Sequence, residues 1–374
     1  MYYLAFFAIL FPVCFLRRVG MSNKRLFNVV YLLISAMAIL RYGQGSDYFN
    51  YLSIYDSVKY MWETEPILMF VMSDPGYALL NWIAIVCGIP FTFFMAIITA
   101  GIMYFFYVFL TRTCNYSFKA LFVFFCVIYM IYALSIMRQG ICISIFYAYM
   151  YPMLKSRKIK KYLLLNSLLI SVHASSIIFV LLPFVKFRYS DRTFLCVFIV
   201  SLFILVTRVV FISKIPIDFI QERVARYVSE PSSNQILAKI VRCLVVIPLF
   251  FIPKKMLIDS ELAYCCNLLL VGFVVYSLTS FSELTCSRLW GYFWGFECVL
   301  LSRLDLQPFF HNYKVKMVTF CILLFSVMWV KDLRAAINQG EYKNCTMFSY
   351  PYISVFDTQE RLLYYRKNLG FFDT

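Results

Sequence analysis

Charge is scarce in this chain. Asp, Glu, Lys and Arg together make up 14% of its 374 residues, against about 25% in a soluble domain. Acidic residues are the scarcer kind, 19 against 35 basic, which leaves a net charge of +16. Histidine is nearly missing, with two copies, and no C-x-x-C pair or acidic cluster occurs. These shortages exclude a water-soluble enzyme of ordinary composition, a zinc ribbon and a carboxylate-built cation site. The 13 cysteines sit mostly inside apolar runs, as Cys87, Cys126, Cys196 and Cys321 do, and the adjacent Cys265 and Cys266 have no ligand spacing. They read as small buried apolar residues, with neither a disulfide framework nor a metal implied. No internal repeat or low-complexity segment is apparent.

What is abundant is apolar: 62% of the residues, in repeated long runs without the alternation of barrel strands. The expected fold is all-α, a polytopic integral membrane protein of about 11–12 transmembrane helices forming one domain over 1–374. Basic residues bunch in short loops, at Arg17-Arg18 with Lys24-Arg25, at Lys155–Lys161, at Lys186 to Arg192, at Lys254-Lys255 and at Lys314 with Lys316. Positive charge retained on the cytoplasmic side explains this pattern better than nucleic-acid binding does. The first run, Tyr2–Leu16, lacks a basic leader and a small-residue cleavage site, so it reads as a retained span. Spans follow at 26–40, 91–111, 118–135, 139–153, 193–212, 236–252, 262–281, 288–303 and 315–330. The outer face then holds loops 41–75 and 213–235 and the tail 331–374. Parity leaves two stretches that cannot be simple crossings. Residues 76–89 are expected as a re-entrant or interfacial helix, and 161–185 as a broken pair with His173 near its tip.

Ionisable groups at span ends are costly and tend to line substrate paths. Arg41, Arg138, Arg223, Arg226 and Arg288 fall on the outer side, where the charge rule disfavours them. An anionic ligand at the outer leaflet accounts for that breach, with arginine rather than a metal neutralising phosphate. Headgroup snorkelling is the competing account. In a helix starting near Asp47, Tyr48, Tyr51 and Tyr55 share one face, suited to sugar rings or to an interfacial aromatic belt. Asp74-Pro75-Gly76-Tyr77 reads as a helix start, with Asp74 the N-cap and Pro75 the first helical residue. His173 is a candidate base or a packing residue. Arg223 and Tyr227 share a helix face, and Tyr292 lies one turn below Arg288.

Taken in order, these pieces resemble the EpsG-like branch of the Wzy-type polysaccharide polymerases. They are Arg41…Gly45-x-Asp47-Tyr48…Tyr51, Asp74-Pro75-Gly76-Tyr77, Ser135-Ile-Met-Arg138-Gln139, His173-Ala-Ser175-Ser176, Arg223-x-x-Arg226-Tyr227, Arg288-Leu-x-Gly-Tyr292-Phe293 and Tyr350-Pro351-Tyr352. Two departures stand out: Asp74 replaces the family's usual glutamate, and Gly140 replaces an apolar residue after Arg138-Gln139.

The resemblance implies a multi-pass GT-C-like polymerase in a bacterial inner membrane, joining polyprenyl-pyrophosphate-linked repeat units into O-antigen, capsule or exopolysaccharide. It implies no cofactor. The implied partners are the lipid-linked oligosaccharide, membrane lipids, a chain-length regulator and a flippase. On this resemblance Arg138 and Arg288 hold the pyrophosphate, with Arg223 or Arg226 helping. Asp47 is the first candidate base and His173 the second. Tyr48 and Tyr51 stack on sugars, and Arg41, Gln139, Tyr227 and Tyr292 complete the substrate contacts. A flippase for the same lipid, an O-antigen ligase and a membrane acyltransferase are the rival readings.

Overall fold

The computed structural model describes residues 2–15, 24–67, 74–186, 190–207, 239–240, 243–246, 260–280, 282–304, 311–338, 351–358 and 360. The described residues are helical apart from connecting turns and one isolated bridge between Arg41 and Ser354. The chain forms two compact units, Met1–Pro183 with Phe325–Thr374, and Phe184–Leu324.

In the first unit the helices are α1 (Tyr2–Phe15), α2 (Lys24–Ile39), α3 (Tyr48–Thr64), α4 (Pro75–Val86), α5 (Phe91–Arg112), α6 (Phe118–Val123), α7 (Met137–Ile145), α8 (Tyr151–Lys155) and α9 (Ile159–Val172). The buried residues of α2 are Phe27, Tyr31, Ile34, Ser35 and Ala38, a single stripe at helical spacing. Its opposite face is also apolar, with Leu32 exposed, as are Phe93 and Ile97 on α5 and Leu164 on α9. An outside this apolar has no solvation advantage in water. Helix α5, at 22 residues, is long and apolar enough to cross a bilayer.

Two helices continue in a wider winding. Residues Phe124–Ala133 after α6 and Phe146–Met150 after α7 are π-helix, a form that gathers at functional sites. The first π segment ends in a tight turn, where the Ile136 N–H donates to the Ile131 carbonyl at 2.7 Å. That turn delivers α7 back along the segment it left. A Cβ on Gly140 would lie 2.1 Å from the Tyr132 carbonyl oxygen, so only glycine allows this return. The unusual Gly140 therefore has a steric reason.

Both stretches that parity excluded as crossings are short or broken. Helix α4 has 12 residues, about 18 Å of helix, and stops before Gly88, whose φ is 68°, and Pro90. Helix α9 stops at His173, whose backbone is extended, and a 3₁₀ helix Ala174–Phe184 runs back. The Tyr162 hydroxyl donates to the Phe179 carbonyl at 2.6 Å, closing the pair into a hairpin with His173 at its tip.

The second unit contains α10 (Asp191–Thr207), α11 (Ser260–Leu278), α12 (Glu283–Gly291), α13 (Trp294–Leu304) and the start of α14 (His311–Asn338). Among the described residues, Glu261–Leu278 of α11 is the other helical stretch long and apolar enough to cross a bilayer. An Arg303–Glu261 ion pair at 2.8 Å ties α13 to α11. Phe203 and Val206 stand exposed on α10.

Candidate active site

The first unit brings together three ionisable side chains from three separate elements. Asp74 precedes α4, Arg138 is the second residue of α7, and His173 is the tip of the broken hairpin. One carboxylate oxygen, Asp74 Oδ2, lies 2.9 Å from Arg138 Nη1 and 3.3 Å from His173 Nδ1. The three side chains retain 19%, 29% and 14% of their accessible surface respectively, so the cluster is recessed and partly exposed.

Local sequence explains why Asp74 reaches His173. Asp74 occupies the N-cap position with Pro75 next, as expected, but its side chain makes no capping bond. Pro75 has no N–H to be capped, and the Asp74 carbonyl accepts from Tyr77 and Ala78 N–H groups at 3.0 Å each. The carboxylate is thereby released to Arg138 and His173. Gly76 sets the depth of the approach: a Cβ there would lie 2.4 Å from Ser171 Oγ and 2.9 Å from the Ser171 carbonyl carbon. Burial alone raises the Asp74 carboxyl. The hydrogen bond from His173, the Arg138 charge and the Ala174 N–H outweigh it and hold the group below its ordinary 3.8.

An ionised carboxylate only accepts, so His173 Nδ1 carries the proton in this contact. The neutral ring then keeps its lone pair on Nε2. Nε2 is buried and has no hydrogen-bond partner, and the same holds for Arg138 Nε. Buried polar atoms left unmet are expensive, and these two differ from the others in the structure in belonging to one ion-paired cluster. The Arg138 guanidinium carbon lies 5.9 Å from the Tyr51 ring centroid and 5.8 Å from that of Tyr77. Those ring faces favour its charge. The Tyr51 hydroxyl accepts the Arg138 backbone N–H at 3.3 Å, one of the first-turn N–H groups that a helix leaves open.

The remaining expected residues fall elsewhere. Helix α3 does begin after Asp47, and Tyr48, Tyr51 and Tyr55 do share a face, but that face is buried. Tyr48 packs edge-on against Phe91, and the Tyr55 hydroxyl donates to the Ile89 carbonyl at 2.5 Å. Tyr48 and Tyr51 thus hold α3 in place in this geometry, instead of presenting open stacking faces. Asp47 is half-buried at the N-cap of α3, with no side-chain capping bond. Gln139 is fully buried on α7.

Arg41 is buried and saturated. Its Nε donates to the Gln44 carbonyl at 3.1 Å; Nη1 contacts the Ala38 carbonyl and, at 3.0 Å, Thr99 Oγ1; Nη2 contacts the Leu134 carbonyl at 3.2 Å and Met137 Sδ at 3.3 Å. All five N–H groups are engaged by the protein, and none is left for a phosphate. The same corner docks residues 351–355. Gln44 Nε2 donates to the Pro351 carbonyl at 2.6 Å, and Tyr42 N–H to the Ile353 carbonyl at 2.9 Å. Arg288 lies on α12 and Tyr292 at its C-terminal cap, both in the second unit, with Tyr292 buried. Arg223, Arg226 and Tyr227 lie outside the described residues.

Asp74 is the functional candidate that sequence reasoning set aside, because a helix start explained it fully. The usable signal was its company: a carboxylate in the same ordered set as Arg138 and His173, both costly near a bilayer. Among the described residues no group of three or more His, Cys, Asp or Glu side chains could hold a metal ion.

The EpsG family profile matches residues 24–354. The chain belongs to the EpsG family. The match takes in Asp74, Arg138 and His173 and nearly the whole described chain. No curated protein and no solved structure matches it. Membership in the EpsG family fits a polysaccharide-polymerase type of role and a place in a membrane.

Proposed function

We propose that this EpsG-family chain is a polytopic glycosyltransferase of the bacterial inner membrane, polymerising lipid-linked oligosaccharide repeat units at the outer face. The observation that carries the proposal is the Asp74–Arg138–His173 cluster, with one unmet nitrogen on each of the two basic residues. The apolar helix outsides and the two bilayer-length helices among the described residues support the membrane setting. The contact between residues 40–42 and 353–355 supports placing the first loop and the tail on one side.

In the proposed reaction a sugar hydroxyl of the acceptor attacks the anomeric carbon of the donor's reducing-end sugar. The C–O bond to polyprenyl pyrophosphate breaks, its electron pair leaving on the pyrophosphate oxygen. Arg138, seated in the first turn of α7 where the helix dipole also favours anions, stabilises that growing charge. The hydroxyl proton passes to His173 Nε2, whose orientation Asp74 fixes through Nδ1. His173 takes the base role ahead of Asp47 because His173 has an orienting partner and an unmet lone pair. The donor's pyrophosphate suits arginine, which grips phosphate bidentately and stays charged when half-buried.

The test is reconstitution. Purified protein in liposomes, supplied with a synthetic polyprenyl-pyrophosphate-linked repeat unit, is expected to yield a ladder of lengthened glycans. Translocation of the lipid-linked sugar without lengthening indicates a flippase instead. Transfer of a single unit to a lipid A core, with no ladder, indicates a ligase.

A further inference from the structure

The cluster has one carboxylate oxygen between two basic groups, and that arrangement carries a consequence for the order of events. Asp74 Oδ2 is shared by Arg138 Nη1 and His173 Nδ1, at 2.9 and 3.3 Å. While it is shared, the Arg138 charge offsets much of what Asp74 could offer the imidazole. An anion that binds Arg138 competes with Asp74 for the same guanidinium.

We propose that Asp74 is a positioning residue that links the two halves of the site, so that pyrophosphate held by Arg138 releases the Asp74 charge to His173 and strengthens Nε2 as a base. The inference rests on the polymerase reading of this site and adds a regulation to it: the acceptor hydroxyl is activated only when the donor is loaded. The chemical advantage is that an idle site does not deprotonate water or a lone acceptor. A neutral site, in which Arg138 and Asp74 cancel, is also cheaper to keep recessed than an unpaired cation. The charged and titratable groups facing the pair are few. They are Asp74 and Tyr77 from the start of α4, Arg138 and Cys142 from α7, and Tyr51 from α3, with Asp47 behind Tyr51 at the start of the same helix.

The chain's two histidines make this directly measurable. Full-length protein carrying His311→Gln, labelled with ¹⁵N-histidine and purified through a tag without histidine, reports His173 alone. The titration of His173 is followed by NMR in nanodiscs with and without saturating inorganic pyrophosphate, whose binding is read separately by ³¹P NMR. Without pyrophosphate the neutral ring is expected as the Nδ1–H tautomer. Pyrophosphate is expected to raise the proton affinity of His173 about tenfold or more. Asp74→Asn is expected to bind pyrophosphate and lose most of that rise, and Asp74→Glu to recover it.

An equal rise in wild type and Asp74→Asn means the anion acts on His173 directly, and overturns the link. Bound pyrophosphate with an unmoved His173 overturns it too, while leaving Arg138 as the pyrophosphate holder. Pyrophosphate that does not bind wild type, or binds Arg138→Ala equally well, overturns the link together with the reading it rests on.

Discussion

Arg41 and Arg138 flank the same short turn, residues 134–138, and could hardly be treated more differently. Arg41 reaches the Leu134 carbonyl and Met137 Sδ from within the core, with all five of its N–H groups engaged by neutral acceptors. Arg138 keeps 29% of its side-chain surface, pairs with one carboxylate oxygen and leaves Nε unmet. Charge placement in the sequence leads one to expect both on the side where membrane charge sorting disfavours arginine. The difference teaches that the breach has two causes. One arginine is a bracket for backbone carbonyls that a turn leaves open; the other, on the proposed reading, is held for a ligand. Saturation by neutral acceptors, more than position in the chain, separates the two.

The largest expected effect of breaking this contrast is on the Arg41 side. Arg41→Ala strands three carbonyls and opens a large void, at a cost of about 4 kcal/mol or more. Loss of monodisperse protein on size-exclusion chromatography is the expected readout. Recovery of a well-folded Arg41→Ala protein removes the structural half of the comparison. Next in size is Gly76→Ala. Its Cβ meets Ser171 backbone and side chain, so α4 must shift from α9 and carry Asp74 away from His173. Overpacking of this kind costs roughly 1–3 kcal/mol. A misplacement of about 1 Å costs on the order of 10²-fold in rate. Polymer formation per folded molecule checks it.

The pH dependence is smaller and its sign is definite. The folded Asp74 carboxyl is held below its ordinary value, so its contribution to stability is full above that value. The contribution is lost as pH falls through the folded value, below about 3.8. Thermal unfolding of wild type compared with Asp74→Asn is expected to show a gap at pH 7 that narrows towards pH 3. A gap that widens on acidification contradicts the ion pair. Smallest is Tyr51→Phe, which removes one acceptor for the Arg138 N–H and leaves the ring in place. A loss of about 1 kcal/mol, or roughly fivefold in turnover, is expected.

Much of the frame was legible in the sequence. The helical class, the helix after Asp47, the short 76–89 segment and the break at His173 followed from apolar period, charge placement and parity. These are local or additive signals. The assembly of the site was not legible, because it depends on close approaches that composition does not encode. Gly76 reads as a turn residue until Ser171 is seen against it, and Gly140 reads as an oddity until the Tyr132 carbonyl is beside it. Asp74 looked explained by capping chemistry, and only the structure shows its side chain turned elsewhere. Tyr48 and Tyr51 carried the right spacing for a shared face, but spacing does not say what that face meets. It meets α4, α5 and Arg138. The π winding before the 134–138 turn has no sequence signature in these residues, and it sets where α7 begins and so where Arg138 stands.

The most direct measurement is the glycan length distribution made by Arg138→Ala at wild-type abundance, in liposomes fed the lipid-linked repeat unit. On the proposed reading, in which Arg138 holds ligand rather than bracing the fold, the variant is expected to fold with a nearly unchanged melting temperature. The ladder is expected to collapse to a single repeat, with turnover down about 10²-fold or more. A normal ladder from a well-folded Arg138→Ala protein contradicts the account.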